Sequence, residues 1–463
     1  MNATHAELAA LVGAPHVLTQ PEDTAPYTLD WRQRYQGHPL AVVRPSCTAE
    51  VVKLVQFCAA RQIPMVPQGG NTSTCGGATP DGSGQALVIS LSRLRCIRQI
   101  DPANNTLIAE AGVTLAGVQA AAYAAHRLFP LSLASEGSCQ IGGNLATNAG
   151  GMAVLRYGTM RDLTLGIEAV LPNGVLLEAL APLRKNNTGY DLKQLLIGGE
   201  GTLGIITAAS LKLYPIPTAR ATALVPVSSP NAAVALLRAV QDRFGDRLTT
   251  FELISERCFA LVAQHTAPPP LPFSAPWGVL LELSDGGEAA ALNEALLHWL
   301  ADHPEASAGS IVAQSQTQRD QLWHWRETIS EAQKRDGPSI KHDIAVPISQ
   351  LGAFMARAET VLRHAFPLCE IVAFGHVGDG NLHYNVSHTR PDNADLFADE
   401  PLVNTLVYDL VYALGGTLSA EHGIGQLKRD WLAHYSPPAV QATRRTLKAA
   451  LDPLNLMNPG KLL

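Results

Sequence analysis

The chain has 463 residues, 46% of them hydrophobic and 16% charged, with a formal net charge of -6 at pH 7. That length sets an expectation of more than one domain, and the apolar fraction argues against large-scale disorder. Lys plus Arg total 34 against 40 Asp plus Glu and form no basic run, which argues against nucleic acid as the main partner. Residues 1–20 lack a cationic start, and no stretch reaches 18 uncharged apolar residues, so a soluble, cytoplasmic protein without a transmembrane segment is expected. The seven cysteines are scattered and form no CxxC pair, which argues against a disulfide framework, an iron-sulfur cluster and a thiolate zinc site. The 38 glycines, by contrast, cluster.

In chain order, 40–43 reads as a short strand. Ser46 or Thr48 then caps a helix in which Val51, Leu54, Val55 and Cys58 recur at helical spacing. A second strand, 63–66, runs into a glycine-rich loop ending at Gly77. Strands at 86–90 and 106–111 and a helix over 114–126 precede a second glycine-rich stretch, 136–151. Next come a hairpin, 163–171 with 175–180, and a strand over 203–214, after which Pro215 and Pro217 mark a boundary. Beyond it, strands at 221–226, 249–254, 277–283, 309–314, 339–345 and 369–376 are interspersed with helices at 230–244, 288–302, 317–334 and 349–365. This predicts an α+β domain with helices on one face of an antiparallel sheet. Helices at 396–414 and 437–451 follow.

Gly69, Gly70, Gly76 and Gly77 flank Asn71, Thr72, Ser73 and Thr74. Such turns aim successive N–H groups into one concavity, as an anionic pyrophosphate requires, and two such clusters point to a large phosphate-bearing cofactor. Gly199-Glu-Gly-Thr-Leu-Gly204 matches the dinucleotide fingerprint G-x-G-x-x-G, but a β-like run follows it, and no acidic residue stands about 20 positions on to hold a ribose. A nicotinamide cofactor is therefore not expected.

Around Gly378-Asp379-Gly380 a tight turn joins two β-like runs, and period-two alternation puts His376, His383 and Asn385 on one face with the histidines diagonal. Further on, Glu421 offers a carboxylate and His422 another imidazole, with Gly423 and Gly425 letting the backbone approach closely. Two histidines and a carboxylate would leave coordination positions open, as in catalytic metal sites. Other histidines, such as His5, His298 and His434, lack such surroundings and read as ordinary solvated residues. Arg326 and Ser330 are four apart and share a face of the 317–334 helix, and Lys341 lies on the next strand. A solvated surface charge and a grip on an anionic substrate both suit Arg326.

These motifs occur in order: Pro67-x-Gly-Gly-Asn-Thr72, Gly137-Ser-Cys-x-Ile-Gly-Gly-Asn-x-x-Thr-Asn-Ala-Gly-Gly151, Gly199-Glu-Gly-Thr-Leu-Gly204, Gly375-His-Val-Gly-Asp-Gly-Asn-Leu-His383, Ser419-Ala-Glu-His-Gly-Ile-Gly425 and Asn458-Pro-Gly-Lys461. Together they resemble the FAD-linked D-2-hydroxy acid dehydrogenases of the vanillyl-alcohol-oxidase superfamily, also called the PCMH type, from about residue 38 onward. The resemblance implies an N-terminal segment at 1–37, a two-subdomain FAD-binding domain at 38–217, a substrate-binding cap at 218–418 and a segment at 419–463 returning to the FAD domain. Pro67, Gly69, Gly70, Asn71, Thr72 and Ser73 would meet the cofactor, with Gly137, Ser138, Ile141, Gly142, Asn144, Thr147, Asn148, Gly151, Glu200, Gly204, Ile205 and Asn458. His376, His383 and Glu421 would hold a divalent ion, zinc first. His422 would be the base, and Arg326, Ser330, Lys341 and Asn385 would bind substrate.

The implied reaction oxidises a D-2-hydroxy acid, D-2-hydroxyglutarate ahead of D-lactate or glycolate, by proton abstraction and hydride transfer to FAD. Electrons would pass to a separate acceptor such as an electron-transfer flavoprotein or a quinone, and a homodimer is the default. A flavin-free metallohydrolase using the same His and Glu cluster is the competing class. Ser73-Thr74-Cys75 departs from the family's usual Gly-Leu, and the loop has no histidine for covalent flavin attachment.

Overall fold

The computed structural model describes residues 3–390 and 395–463. It divides into one unit of Met1–Gly150, Gly158–Ile216 and Glu421–Leu463, and another of Gly151–Tyr157 and Pro217–Ala420.

In the first unit, β1 (Val17–Leu18), β2 (Ala41–Val43), β3 (Met65–Gln68) and β4 (Leu87–Ser90) form a sheet in the order β1-β2-β4-β3, with β4 parallel to β2 and β3. The parallel step from β2 to β3 is made by the Thr48–Arg61 helix, which buries the Val51, Leu54, Val55 and Cys58 stripe expected from its spacing. Leu8 and Val12 join that same core, so the N-terminal stretch is part of this unit rather than a separate segment.

Seven further strands complete the unit: β5 (Ile97–Asp101), β6 (Thr106–Glu110), β7 (Arg127–Leu128), β8 (Thr164–Val170), β9 (Leu176–Ala179), β10 (Ile205–Lys212) and β11 (Tyr214–Pro215). They give an antiparallel sheet in the order β5-β6-β10-β8-β9 and a β7-β11 ribbon. The C-terminal chain lies along β3: Met65 donates its N–H to Leu456 and its carbonyl accepts from Asn458, both at 2.7 Å.

The second unit holds β12 (Ala219–Val227), β13 (Leu248–Ser255), β14 (Trp277–Asp285), β15 (Ile311–Val312), β16 (Asp343–Ala345), β17 (Glu370–His376) and β18 (Asn381–Ser387). They form one sheet in the order β15-β12-β14-β13-β17-β18-β16, every pairing antiparallel. Helices cover both faces rather than one. The Glu256–His265, Gln316–Glu327 and Ile329–Asp336 helices pack on the face bearing Ile254, Val372 and Phe374. On the other face, Phe354 of the Leu351–Ala365 helix stacks edge-on against Tyr384. The reason is visible in β13, all eight of whose residues are buried: a strand buried on both sides needs cover on both.

The helix expected over 317–334 is two helices, parted at Thr328. The short Gly151–Tyr157 segment belongs to this unit because Arg156 Nη1 donates to the Ser284 carbonyl at 2.6 Å and Leu155 packs on Gly378.

Buried carboxylates pin the Gln316–Glu327 helix. Glu282 on β14 accepts from Arg319 Nε at 2.7 Å, Trp323 Nε1 at 3.0 Å and Thr222 Oγ1 at 3.0 Å. Removing the acceptor strands a guanidinium and an indole N–H, so Glu282→Ala is expected to cost about 3 kcal/mol in denaturant unfolding. A loss below about 1 kcal/mol would contradict this account.

Candidate functional site

In the first unit, β3 ends in the 69–77 loop. Asn71 is left-handed, φ +53°, and its Nδ2 donates to the carbonyls of Pro26 and Leu29 at 3.0 and 2.9 Å. Gly70 lies so close to the second glycine stretch that a Cβ there would stand 2.0 Å from the Ser138 carbonyl oxygen. Ser73 Oγ accepts the Gly77 N–H at 3.2 Å. Among the described residues, the N–H groups of Gly70, Asn71, Thr72 and Ser73 meet no protein acceptor. In the 137–143 stretch, Gly137 and Gly143 have open space where a Cβ would stand. Gln140 Oε1 and Asn458 Oδ1 are buried without a partner among the described residues.

Glu200, φ +49°, is nine-tenths buried and joins this cradle to the C-terminal chain. Its carboxylate accepts the N–H groups of Ile424 and Gly425, both at 2.7 Å, and its carbonyl accepts Asn458 Nδ2 at 2.8 Å. Burial pushes its pKa up, against the pull of the two N–H donors and Lys428. Cys75 is buried, with Sγ 3.5 Å from the Gly423 carbonyl.

In the second unit, the β17-β18 hairpin has the register the sequence predicts, with Phe374 opposite His383 and Val372 opposite Asn385. The turn requires glycine at 380, where φ is +86° and a Cβ would stand 2.3 Å from the Val346 carbonyl oxygen. The His376 and His383 rings are 5.9 Å apart, and His383 Nδ1 is 3.9 Å from Asp343 Oδ1. His376 Nδ1 bonds Glu252, which also accepts Arg326 Nε at 2.7 Å. The Arg326 guanidinium lies 4.9 Å from the Phe374 ring centroid, and its η nitrogens make no hydrogen bond among the described residues. Asn385 Nδ2 donates to Gln333 Oε1 at 2.8 Å, while Gln333, 3% exposed, has its Nε2 without a partner among the described residues. Asp336, Glu370 and His388 also gather ligand atoms, but Arg257 Nη2 already stands 3.4 Å from Asp336 and 2.5 Å from Glu370.

Glu421 and His422, both half-buried, open the last segment of the first unit. The chain leaves the second unit at Ala420, whose N–H donates to the Asp343 carbonyl at 3.2 Å.

Comparison with known proteins bears on these two constellations. Residues 39–180 match a family model described as an FAD binding domain, and residues 216–462 match one described as FAD linked oxidases, C-terminal domain. D-2-hydroxyglutarate dehydrogenase of Xanthomonas citri pv. viticola is 38% identical, over 98% of this chain and 96% of the relative. Its mitochondrial namesake from Bos taurus is 36% identical, over 99% of this chain and 83% of the relative. The chain belongs to the FAD-linked D-2-hydroxy acid dehydrogenase family.

Among solved structures, substrate-bound p-cresol methylhydroxylase matches with a TM-score of 0.75 at 19% identity, covering 100% of this chain and 96% of that one. Alkyldihydroxyacetonephosphate synthase matches with a TM-score of 0.72 at 17% identity, covering 99% and 85%. These two show a shared fold.

The first unit fits the family's cofactor. Four consecutive unanswered donors suit a pyrophosphate, and the two orphaned acceptors suit amino, hydroxyl or imide donors of a flavin dinucleotide. Several residues expected at the cofactor shape the backbone or the core of this unit. Ile141, Asn144 and Ile205 are buried, and a Cβ on Gly142 would stand 2.8 Å from that of Ala111. Pro67 packs against Gly201, Thr147 Oγ1 donates to the Gly143 carbonyl, and Asn148 Oδ1 accepts the Arg161 N–H. A Cβ on Gly204 would stand 3.0 Å from the Val170 carbonyl oxygen. Gly69 abuts Gln140, whereas Gly151 lies in the segment of the second unit.

In this member of the family, Arg326 and Ser330 do not share a face. The break at Thr328 leaves Arg326 buried and Ser330 exposed. Lys341 lies between the Ile340–Val386 bridge and β16, not within the strand. Glu252, Gln333 and Asp343 escape the sequence reading. The one available signal was Glu252 itself, a lone charge in an otherwise uncharged run that needs a buried partner.

Two substitutions test the cradle. Gly70→Ala should lower bound FAD at least tenfold, read from flavin absorbance per protein, because backbone must move 1 Å or more, on the order of a van der Waals overlap. Glu200→Gln replaces one acceptor by a donor facing an N–H, and is expected to cost about 1–3 kcal/mol in unfolding. Wild-type stability would refute the clamp.

Proposed function

We propose that the chain oxidises D-2-hydroxyglutarate to 2-oxoglutarate, with hydride passing from C2 to FAD. The names of its relatives support this reading. One structural observation carries the choice of a dicarboxylate. Arg326 η nitrogens and a Gln333 amide nitrogen, without partners among the described residues, come from helices packed on the sheet face that bears Asn385, so donors exist for a carboxylate beyond the one beside the reacting carbon. Lys341 completes the proposed substrate set.

His376, His383 and Glu421 would hold a divalent ion, and two imidazoles with one carboxylate suit zinc. Supporting this, His376 directs its Nδ1 to a carboxylate, the outer-shell contact that metal-binding histidines usually make. When bound, the ion supplies Lewis acidity at the substrate hydroxyl and FAD accepts the hydride. The chain's own residues do the rest. His422 takes the hydroxyl proton, Arg326 and Lys341 hold negative charge, and Asn385 orients the acid. The 69–73 loop grips the pyrophosphate. FAD is held without a covalent bond, and electrons leave it for a separate protein or quinone acceptor.

Anaerobic D-2-hydroxyglutarate is expected to bleach the flavin at least ten times faster than D-lactate, and a chelator to slow that bleaching. His422→Ala should lower kcat about a hundred- to ten-thousand-fold with FAD retained. Preference for D-lactate would overturn the substrate, and unchanged turnover in the variant would overturn the base.

A further inference from the structure

We propose that Glu252 is the positioning residue that presets both His376 and Arg326, an inference resting on the ligand and substrate roles assigned to those two above. Glu252 is 0% exposed, in the middle of a strand buried on both faces. It lies directly opposite His376 across the β13-β17 pairing, so the backbone alone brings carboxylate and imidazole together. Oε1 bonds His376 Nδ1 and Oε2 accepts Arg326 Nε at 2.7 Å, each oxygen thus meeting a different element.

Two consequences follow from this geometry. An ionised carboxylate is acceptor-only, so the atom facing it must be Nδ1–H, and the lone pair of neutral His376 is left on Nε2. Capture of Nε also fixes the plane of the Arg326 guanidinium over Phe374, so the η edge faces a carboxylate ligand without first having to be ordered. The charges of Glu252 and Arg326 compensate each other, which is what a fully enclosed carboxylate demands. A glutamine here would offer one acceptor and one donor where the site asks for two acceptors, and could satisfy only one partner.

The test uses FAD-loaded protein stripped with a chelator and titrated with Zn2+ alone, comparing wild type, Glu252→Gln and His376→Ala. Glu252→Gln is expected to bind zinc ten- to a hundredfold more weakly. It should also raise KM for D-2-hydroxyglutarate at least fivefold, with FAD content unchanged. In histidine-labelled, metal-free protein, long-range 15N NMR should find the Nδ1–H form of His376 in wild type and a loss of that preference in the variant. Zinc affinity and KM within twofold of wild type would overturn the proposal. If wild type takes up no zinc, or His376→Ala takes it up as well as wild type does, the ligand set has failed instead, and KM with the tautomer decides the part of Glu252. Should Glu252→Gln not fold, Glu252→Asp keeps the charge but withdraws both oxygens by one methylene. The same losses are expected, and wild-type behaviour would again overturn the assignment.

Discussion

One buried residue holds the first unit together. Glu200 donates its N–H to Ala146, accepts Asn458 at its carbonyl, and takes the N–H groups of Ile424 and Gly425 on its carboxylate. Four stretches distant in sequence thus meet at a single position. Enclosing a carboxylate carries a desolvation penalty that only good donors offset, and here two backbone N–H groups at 2.7 Å provide them. The arrangement dictates the glycines that face it. A Cβ on Gly423 would come within 3.0 Å of the Glu200 carboxylate, and one on Gly425 would stand 2.1 Å from the Cys75 carbonyl oxygen. The two glycines that follow His422, at 423 and 425, are therefore structural requirements of this clamp.

The second unit solves a related problem in a different way. Its sheet is covered on both faces, so any charge within it must find its counter-charge inside the protein. Glu252 and Glu282 do so through one helix: Arg319 and Trp323 reach Glu282, and Arg326 reaches Glu252. Residues four and three apart on a helix lie along one stripe, so the contacts that anchor the helix also fix the one guanidinium proposed to meet substrate. Burial pushes the Glu252 carboxyl up, but the adjoining Arg326 guanidinium outweighs it and holds the group below the usual carboxylate range. The same face carries His383 and Asn385, and Gln333 meets Asn385 from the Ile329–Asp336 helix packed on it, so these polar groups extend the core.

Legibility in the sequence followed the range of the interactions. The loop at 69–77, the hairpin at 376–383 and its register were readable because glycine spacing and period-two alternation are local rules. Helical spacing singles out Arg326 but not its setting: a single helix over 317–334 would put Ser330 beside it, whereas the break at Thr328 separates a buried arginine from an exposed serine. Helix cover on the second face of the sheet was also missed, since an apolar strand shows that it is buried without showing what buries it. No local rule points to the pairing of Glu252, whose partners lie 74 and 124 residues away in sequence.

By itself, then, the sequence determined where backbone had to be free of side chains, which pairs of residues would face each other across a turn, and, through ordered motifs, the family. Those are properties of φ, of strand period and of shared ancestry, and each can be read along the chain. Only the tertiary structure decided which charges neutralise which, that Gln333 meets Asn385, and that Glu200 serves the backbone of the 423–425 turn. Such pairings depend on burial. The cost of leaving a charge or amide unpaired arises only once water has been excluded, and no spacing rule records which distant segment will exclude it.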